Sequence, residues 1–390
     1  MGVGRLLLNI LIVLAAIGGG FYQLKLKPIL ATLGIGRVIQ PVGNTNCAAV
    51  APELQACEKV VLHQPSGVIY LACSTRESRT HWLPNTLTLN NTGASRADYV
   101  ATYDPKSQRV TKLKTLGFDS PRGLSLHGMD VVASTTNPSK LYVYLVNHRA
   151  PLTGDANVVG ADSSIEVFKT TLGGSTLEYV RTVDSPLIET PNDVTGSADG
   201  QEFWVTNDHG AKTGLVRQLE LLGRSATSVV YCHATEGCKY AIKNMHGNNG
   251  ITQAPNGTFY VIDSSGGKLS ILDKQADNTL VITDVISTDR ALDNIMVDSQ
   301  GHVWAAGFPK ALVLIQEHFK NPDILSPSNA FRFSINTGPG AFYGEKYKVD
   351  RVFEDDGTIA SGTTSAVYDA DRNLLFLHGI AADKLVICKL

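Results

Sequence analysis

Several patterns that mark common enzyme classes are absent from this chain. It has no G-x-S-x-G nucleophile elbow, no H-E-x-x-H zinc motif and no glycine loop of the kind that holds phosphate before a helix. Its six cysteines form no C-x-x-C pair, so their spacing does not suggest a zinc site. These absences argue against serine hydrolase, zinc and phosphate-binding chemistry.

Charge is also scarce, and it is balanced. Only 18% of the residues are charged, with 34 Lys and Arg against 36 Asp and Glu. No basic run is long enough to form a nucleic-acid surface, so we expect no nucleic-acid partner. Gly (36) far exceeds Pro (16), as expected of many tight turns that join buried strands.

The N-terminus carries the one long apolar run. The stretch from Leu6 to Tyr22 is almost wholly apolar, and Lys25 and Lys27 follow it. This run is long for a signal peptide and short for a comfortable membrane-spanning helix. Since no clear cleavage site follows it, an uncleaved membrane anchor is favoured over a cleaved signal peptide. The predicted organisation is a signal anchor or signal peptide over 1–24, a lead-in segment over 25–46 and one folded domain over 47–390.

A short pattern recurs six times in the rest of the chain. Each copy is an apolar strand, a turn rich in Gly, Asn and Asp, and a second strand, and the spacing of roughly 40 to 70 residues is that of propeller blades. The repeat predicts an all-β fold, a six-bladed β-propeller. The copies begin at Glu58, His127, Asn192, Asn249, Asp293 and Thr364.

The first residues of the copies should meet at the propeller axis, because equivalent positions of radially arranged blades face the same channel. Four copies begin with carboxylates or amides, a donor set that suits calcium with its about six to eight oxygen ligands and suits zinc badly. A single Asn or Asp before a strand is more often a turn residue, but four in register favour a metal. The predicted oxygen donors are Glu58, Asn192, Asn249, Asp293 and Asn294.

The cysteines fit an oxidising compartment. Cys47 precedes the first repeat and Cys388 lies near the C-terminus, so a bridge between them would fasten the first strand to the last blade. On the loop-closure model so long a loop contributes roughly 4 to 5 kcal/mol. Further plausible bridges join Cys57 to Cys73 and Cys232 to Cys238, and buried free thiols are the alternative.

Two sequons, at Asn90 and Asn256, fit the same compartment. Together with the cysteines and the apolar N-terminus, they predict a glycoprotein of the secretory pathway. We expect it to be anchored in the membrane with a lumenal or extracellular propeller, or else secreted.

Several segments resemble the paraoxonase/arylesterase family of calcium-dependent lactonases, six-bladed propellers whose ends are joined by a disulfide. The resemblance runs from Gln40-Pro41 to the C-terminus and is interrupted by insertions. It is distant overall and sharp at the motifs. The segments that carry it are Leu124-Ser125-Leu126-His127-Gly128-Met129, Leu145-Val146-Asn147-His148, Pro191-Asn192-Asp193-Val194, Thr206-Asn207-Asp208-His209, Asn249-Gly250-Ile251, Leu292-Asp293-Asn294-Ile295 and Val386-Ile387-Cys388-Lys389-Leu390.

The resemblance implies a function and a mechanism. The substrate would be a small lactone or ester, whose carbonyl oxygen a catalytic calcium polarises. The calcium ligands would be Glu58, Asn192, Asn249, Asp293 and Asn294, and the terminal disulfide would join Cys47 to Cys388. The histidine pair of the family falls on His127 and His148, with His127 as general base and His148 behind it. Both would lie in one hairpin, where we expect a hydrogen bond between the rings.

The sequence departs from the family pattern beside the first-blade glutamate. The structural calcium of the family uses an acidic residue there, whereas this chain has Lys59, although Asp193 and the backbone carbonyl of Met129 have counterparts. Our hypothesis is that the Lys59 ammonium replaces the second ion and pairs with Asp193, which leaves one calcium per chain. Gly307-Phe308 stands where the family has a free cysteine and a histidine.

Two other functions stay open. One is a non-catalytic, calcium-stabilised propeller that binds a partner or small ligand; Lys59 and the long polar segments 74–99 and 308–346 favour it. The other is a related propeller activity, such as a sugar-acid lactonase or a strictosidine-synthase-like condensation. The terminal cysteine pair argues against the former, and Asp293-Asn294 argues against the latter.

Overall fold

The computed structural model describes residues 2–390, in which the six repeats form six β-sheets of four or five strands. The strands are β1 (Cys47–Val50), β2 (Cys57–His63), β3 (Val68–Cys73), β4 (Trp82–Leu83), β5 (Thr88–Leu89), β6 (Tyr99–Asp104), β7 (Arg109–Lys112), β8 (Lys114–Leu116), β9 (Leu126–Ala133), β10 (Lys140–Arg149), β11 (Asp162–Thr171), β12 (Thr176–Val183), β13 (Pro191–Gly196), β14 (Glu202–Asn207), β15 (Thr227–His233), β16 (Gly237–Met245), β17 (Asn248–Gln253), β18 (Phe259–Asp263), β19 (Lys268–Lys274), β20 (Leu280–Ser287), β21 (Ala291–Val297), β22 (Val303–Phe308), β23 (Ser328–Ile335), β24 (Tyr347–Asp355), β25 (Ser365–Asp369), β26 (Leu374–His378) and β27 (Leu385–Lys389).

The six sheets are the blades of a propeller. Blade 1 is β2-β3-β6-β7, blade 2 is β9-β10-β11-β12-β8, blades 3, 4 and 5 are β13 to β16, β17 to β20 and β21 to β24, and blade 6 is β25-β26-β27-β1. The first strands contact one another in a closed ring, in the order β2, β9, β13, β17, β21, β25 and back to β2. The predicted six-bladed propeller is therefore confirmed, with the first strand of each repeat lining the central channel.

The ring is closed by the two ends of the domain. Strand β1 pairs with β27, so that Cys47 lies opposite Cys388, and the two form a disulfide across 341 residues. This confirms the predicted link between the ends. The other four cysteines are bridged as Cys57–Cys73 and Cys232–Cys238, so the free-thiol alternative is wrong.

The core lies between the blades, where apolar side chains of one sheet pack on the next. Trp204 of blade 3 meets the edge of Phe259 of blade 4 with 4.9 Å between ring centroids. Both side chains are buried, and such a contact contributes about 0.5–1.5 kcal/mol beyond area burial. This packing makes the channel walls rigid, which matters because the site residues project from them.

The predicted N-terminal apolar helix is present. It consists of α1 (Gly2–Phe21), a π-helical turn (Tyr22–Leu26) and α2 (Lys27–Thr32). The stretch Gly4–Thr32 is long and apolar enough to cross a membrane by length and composition. After this helix, the Arg37 guanidinium donates to the Pro309 carbonyl at 3.1 Å, which ties the end of the helix to the propeller.

Short helices cover one end of the channel. Each lies in a connection between two strands of the same blade. They are α3 (Arg76–His81), α4 (Ala156–Val159), α5 (Leu215–Gln218) and α6 (Ala311–Val313), with 3-10 turns at Pro84–Thr86, Asn91–Gly93 and Leu219–Leu222 and a π-helical turn at Leu314–His318. A further 3-10 turn, Pro339–Tyr343, lies in the β23–β24 connection at the opposite end of blade 5.

Candidate active site

Four of the channel-lining strands lose register with their neighbours at the predicted donor residues. The breaks lie between Cys57 and Lys59, between Pro191 and Val194, between Asn248 and Ile251, and between Leu292 and Ile295. A regular strand turns successive side chains to opposite faces, whereas an irregularity of this kind re-aims one of them. The residues skipped by the ladders are Glu58, Asn192, Asp193, Asn249, Gly250, Asp293 and Asn294.

A cavity of about 320 Å³ lies at the end of the channel that the short helices cover. Its polar lining includes five residues predicted to converge, each from the first strand of a different blade. They are Glu58, His127, Asn192, Asn249 and Asp293. The structure therefore brings four of the five predicted oxygen donors and one of the two predicted histidines into one cavity.

Three donor oxygens in this cavity lack a hydrogen-bond partner. The Oδ1 atoms of Asn192, Asn249 and Asp293 are buried and unpaired, which is costly for a polar atom. A cation among them would satisfy all three. Within residues 2–390 no three His, Cys, Asp or Glu side chains form a metal-binding group. The donors are instead two carboxylates and neutral amides, which fit a hard cation such as calcium.

The two carboxylates are buried close to each other. Burial raises the pKa of Glu58 to about 7, against hydrogen bonds from Thr364 and Asn294. Burial, and then the charge of Glu58, raise the pKa of Asp293 well above its usual range. A divalent cation beside the two carboxylates would stabilise both ionised forms.

The Asn294 side chain, predicted to be a calcium ligand, is hydrogen-bonded to both Glu58 and Lys59. Its Nδ2 donates to Glu58 Oε1 at 2.9 Å, and its Oδ1 accepts from Lys59 Nζ at 3.2 Å. The side-chain oxygen thus points towards Lys59, and the nitrogen points towards Glu58. In this orientation the amide braces Glu58, and it would have to turn over to offer an oxygen to a metal.

Lys59 lies in the channel, on the side of the donor residues that faces away from the cavity. Its Nζ is 2.5 Å from Asp193 Oδ2, and both side chains are almost wholly buried. The same carboxylate oxygen accepts from the Ile251 amide at 3.0 Å, and Lys59 also donates to the Ile295 carbonyl at 3.4 Å. In the described structure the Met129 carbonyl accepts no hydrogen bond from the Lys59 ammonium, although Met129 lines the same part of the channel.

The two predicted histidines lie side by side on β9 and β10, with ring centroids 5.1 Å apart. His127 Nε2 is 3.8 Å from Glu58 Oε1, and His148 Nδ1 is 2.9 Å from Ser163 Oγ. His127 Nδ1 and His148 Nε2 are both buried without a partner. The hydrogen bond expected between the rings is not formed in the described structure, and the ring planes are tilted by 53° to each other.

Both imidazoles are held in the neutral form. Burial, followed by the charges of His148, Arg79 and Lys59, puts the pKa of His127 well below its usual range. Burial lowers the pKa of His148 to about 3, although Asp208 opposes this. A neutral imidazole with an unpaired nitrogen has a free site for a proton, although a lowered pKa makes it a weaker base than one that titrates near neutral pH.

The wall of the cavity away from the donors is apolar. It is formed by the N-terminal segment, the 74–99 connection and the ends of blades 5 and 6. These residues include Leu33, Leu83, Leu87, Phe308, Phe319 and Ile380. The cavity therefore combines a polar floor with a nonpolar upper part, an arrangement suited to a small ligand with a polar group at one end and an apolar part at the other.

Comparison with known proteins identifies the family. A sequence model described as Arylesterase matches residues 60–390. The chain belongs to the arylesterase family. The predicted family and the predicted class, ester or lactone hydrolase, are thereby confirmed.

Curated relatives fall in the same family. Rat serum paraoxonase/arylesterase 1 is 26% identical over 292 residues, which are 73% of this chain and 79% of the relative. Chicken serum paraoxonase/arylesterase 2 is 24% identical over 286 residues, 72% of each chain. Human serum paraoxonase/lactonase 3 is 22% identical over 360 residues, 91% of each chain.

Sequence reasoning missed the contribution of the 74–99 connection. Arg79 of α3 is only 3% exposed, and its charge acts on Glu58, His127 and His148. Trp82 Nε1 donates to the His148 carbonyl at 2.8 Å. The length and polarity of this segment were evident from the sequence, but nothing in its pattern marked Arg79 as buried.

Proposed function

We propose that this member of the arylesterase family is a calcium-dependent hydrolase of lactones and aryl esters. The observation that carries the proposal is the set of unpaired, buried oxygens of Asn192, Asn249 and Asp293. They line the same cavity as Glu58 and the neutral His127. The cavity thus combines oxygen donors for a hard cation with an unprotonated histidine, and metal-assisted ester hydrolysis needs both.

The donors would hold one catalytic calcium, which when bound polarises the substrate carbonyl and stabilises the negative charge that develops on its oxygen. The ligands would be Glu58, Asn192, Asn249 and Asp293, joined by Asn294 once its amide turns over. His127 accepts a proton from the attacking water. The Nδ1 of His148 is hydrogen-bonded to Ser163. His148 therefore keeps His127 in place, and its Nε2 is free to share that proton.

A single calcium per chain is the second part of the proposal. The Lys59 ammonium and the Asp193 carboxylate neutralise each other at 2.5 Å, so this part of the channel already contains a cation. A second calcium there would be repelled by the Lys59 ammonium. The ammonium would have to leave its hydrogen-bond partners before the ion could bind.

The N-terminal helix supports a membrane-anchored form in the secretory pathway. Leu33, which directly follows α2, lines the cavity, so the anchor ends at the site itself. Apolar substrates dissolved in the bilayer would then reach the cavity over a short distance. Three disulfides and the exposed sequon residues Asn90 and Asn256 fit a lumenal or extracellular propeller that carries glycans.

The experiment that tests the function is hydrolysis of a panel of aromatic lactones, aliphatic lactones and phenyl acetate by the full chain in detergent. Turnover should stop with excess chelator and return when calcium is added. Protein that binds calcium but hydrolyses nothing in the panel would contradict the proposal and favour a non-catalytic propeller that binds a partner or ligand.

A further inference from the structure

Glu58 sits beside a disulfide. Cys57 directly precedes it, and Cys57 lies opposite Cys73 at the end of the β2–β3 pair. Glu58 itself is skipped by the ladder, so backbone hydrogen bonds to β3 do not fix its position. On the blade 1 side, Glu58 is therefore flanked by the Cys57–Cys73 disulfide and by the Lys59–Ala72 pair, at the point where the strand turns the Glu58 side chain into the cavity.

A chain of hydrogen bonds continues from this disulfide to His127. Ser74 follows Cys73, and its Oγ donates to Asp98 Oδ1 at 2.6 Å. Asp98 Oδ2 accepts from the Leu126 amide at 2.8 Å, and Leu126 directly precedes His127. The Asp98 amide also donates to the Leu124 carbonyl at 3.1 Å, so the buried Asp98 joins blade 1 to the start of blade 2.

This path links blade 1, which carries Glu58, to the start of blade 2, which carries His127. Strands β2 and β9 belong to different sheets of the described structure, so no common ladder sets their spacing. The Glu58 and His127 side chains approach to 3.8 Å, which is too long for a hydrogen bond. Thr364 and Asn294 hold the Glu58 carboxylate at 2.6 and 2.9 Å from the blade 6 and blade 5 sides. What the path adds is the position of Glu58 relative to blade 2, which carries His127.

We infer that the Cys57–Cys73 disulfide and Asp98 form a positioning strut that sets the place of Glu58 relative to His127, and through it the affinity for calcium. The inference rests on the proposed function, because calcium is the group whose binding it governs. Cys57 and Cys73 are both completely buried, so the bridge acts as a fixed support and not as a redox switch.

The chain offers a matched control for the disulfide. Cys232 and Cys238 bridge β15 to β16 across a separation of 6 residues, and neither lines the cavity. We compare Cys57→Ala/Cys73→Ala with Cys232→Ala/Cys238→Ala in the full chain, using calorimetric titration with calcium chloride. The strut variant should bind calcium about tenfold more weakly or worse, as when an outer support of a metal ligand is lost. The control should stay within about twofold.

Asp98→Asn tests the same strut without touching a disulfide, so the inference stays testable if the double cysteine variant fails to fold. It should weaken calcium binding in the same direction. It should also lower kcat more than it raises KM, because His127 is displaced as well. A purely structural role would lower the unfolding temperature and leave these two readouts unchanged.

The outcomes separate the two claims. Unmodified protein that binds calcium, with equal affinity in the strut and control variants and in Asp98→Asn, would overturn the strut alone. Unmodified protein that binds no calcium would overturn the proposed function, and the strut with it. Weaker binding in both strut variants and not in the control supports the inference.

Discussion

The Nζ of Lys59 lies 2.5 Å from Oδ2 of Asp193, and the two form a buried ion pair in the channel of the propeller. Glu58, one residue earlier, faces the cavity at the end of that channel. Because β2 is irregular at this point, the neighbouring residues Glu58 and Lys59 reach two different positions along the propeller axis. At the first position lie the proposed oxygen donors for calcium. At the second position the Lys59 ammonium is itself the cation.

Replacing Lys59 by methionine should destabilise the protein. The Asp193 carboxylate would keep its burial and lose its partner, which costs about 3–5 kcal/mol for a buried pair. The measurement is the free energy of unfolding in urea at pH 7. Lys106→Met, at an exposed position, is the control and should change this energy by less than about 0.5 kcal/mol. Equal effects of the two substitutions would show that the ion pair does not stabilise the fold.

His127→Gln should lower kcat/KM for lactones by about 10² to 10⁴, the usual contribution of a general base. Calcium affinity should stay within about twofold, since His127 is not among the proposed ligands. Steady-state kinetics and calorimetry measure the two quantities. His233→Gln, in a histidine that does not line the cavity, should leave both unchanged. Full activity in His127→Gln would remove this residue from the role of base.

Calcium should stabilise the protein more at pH 8 than at pH 5.5. In the calcium-free state the pKa of Glu58 is raised from 4.5 to about 7, so the folded protein holds this proton more tightly than the unfolded chain. This group therefore stabilises the calcium-free protein at low pH, and that stability is lost as the pH rises through about 7. Calcium needs the ionised form, so its binding grows over the same interval.

The unfolding temperature with and without calcium, measured at both pH values, tests this pH dependence. The increase caused by calcium should be larger at pH 8. Glu58→Gln removes the titrating group and should reduce the difference between the two pH values. An increase that is equal at pH 5.5 and pH 8 in the unmodified protein would contradict the assignment of Glu58 as a ligand.

Phe308→Ala should weaken the use of hydrophobic substrates. Phe308 belongs to the apolar wall of the cavity, and loss of such a contact costs about 1–3 kcal/mol in discrimination. We expect kcat/KM to fall about tenfold or more for lactones with long alkyl chains, and much less for an unsubstituted small lactone. Phe342→Ala, at a side chain that is 89% exposed, is the control. A uniform loss over all substrates would argue against a role in specificity.

The fold could be predicted because its signal is repeated. Six copies of one strand–turn–strand pattern each carry the same information, and the donors occupy the same place in four of them. The fifth strand of blade 2, β8, was not predicted; Lys114–Leu116 is short and pairs in parallel with β12, so no local pattern reveals it.

Details of the site that depend on contacts between distant segments could not be predicted. The orientation of the Asn294 amide is decided by Lys59 and Glu58 together. The His148 ring is hydrogen-bonded to Ser163, and the His148 carbonyl accepts from Trp82 of the 74–99 connection. Asp98 lies 28 residues before Leu126 and reaches the Leu126 amide only in the folded protein. Residue types show what a site could bind, whereas the hydrogen bonds that orient them are a property of the packed structure.

The most direct test of the central claim is a calorimetric titration of the chelator-treated full chain with calcium, with lactone turnover measured on the same samples. We expect one calcium bound per chain, and turnover that rises in proportion to the fraction of chains with calcium. Turnover that is undiminished in chelator, or no binding of calcium at all, would contradict it.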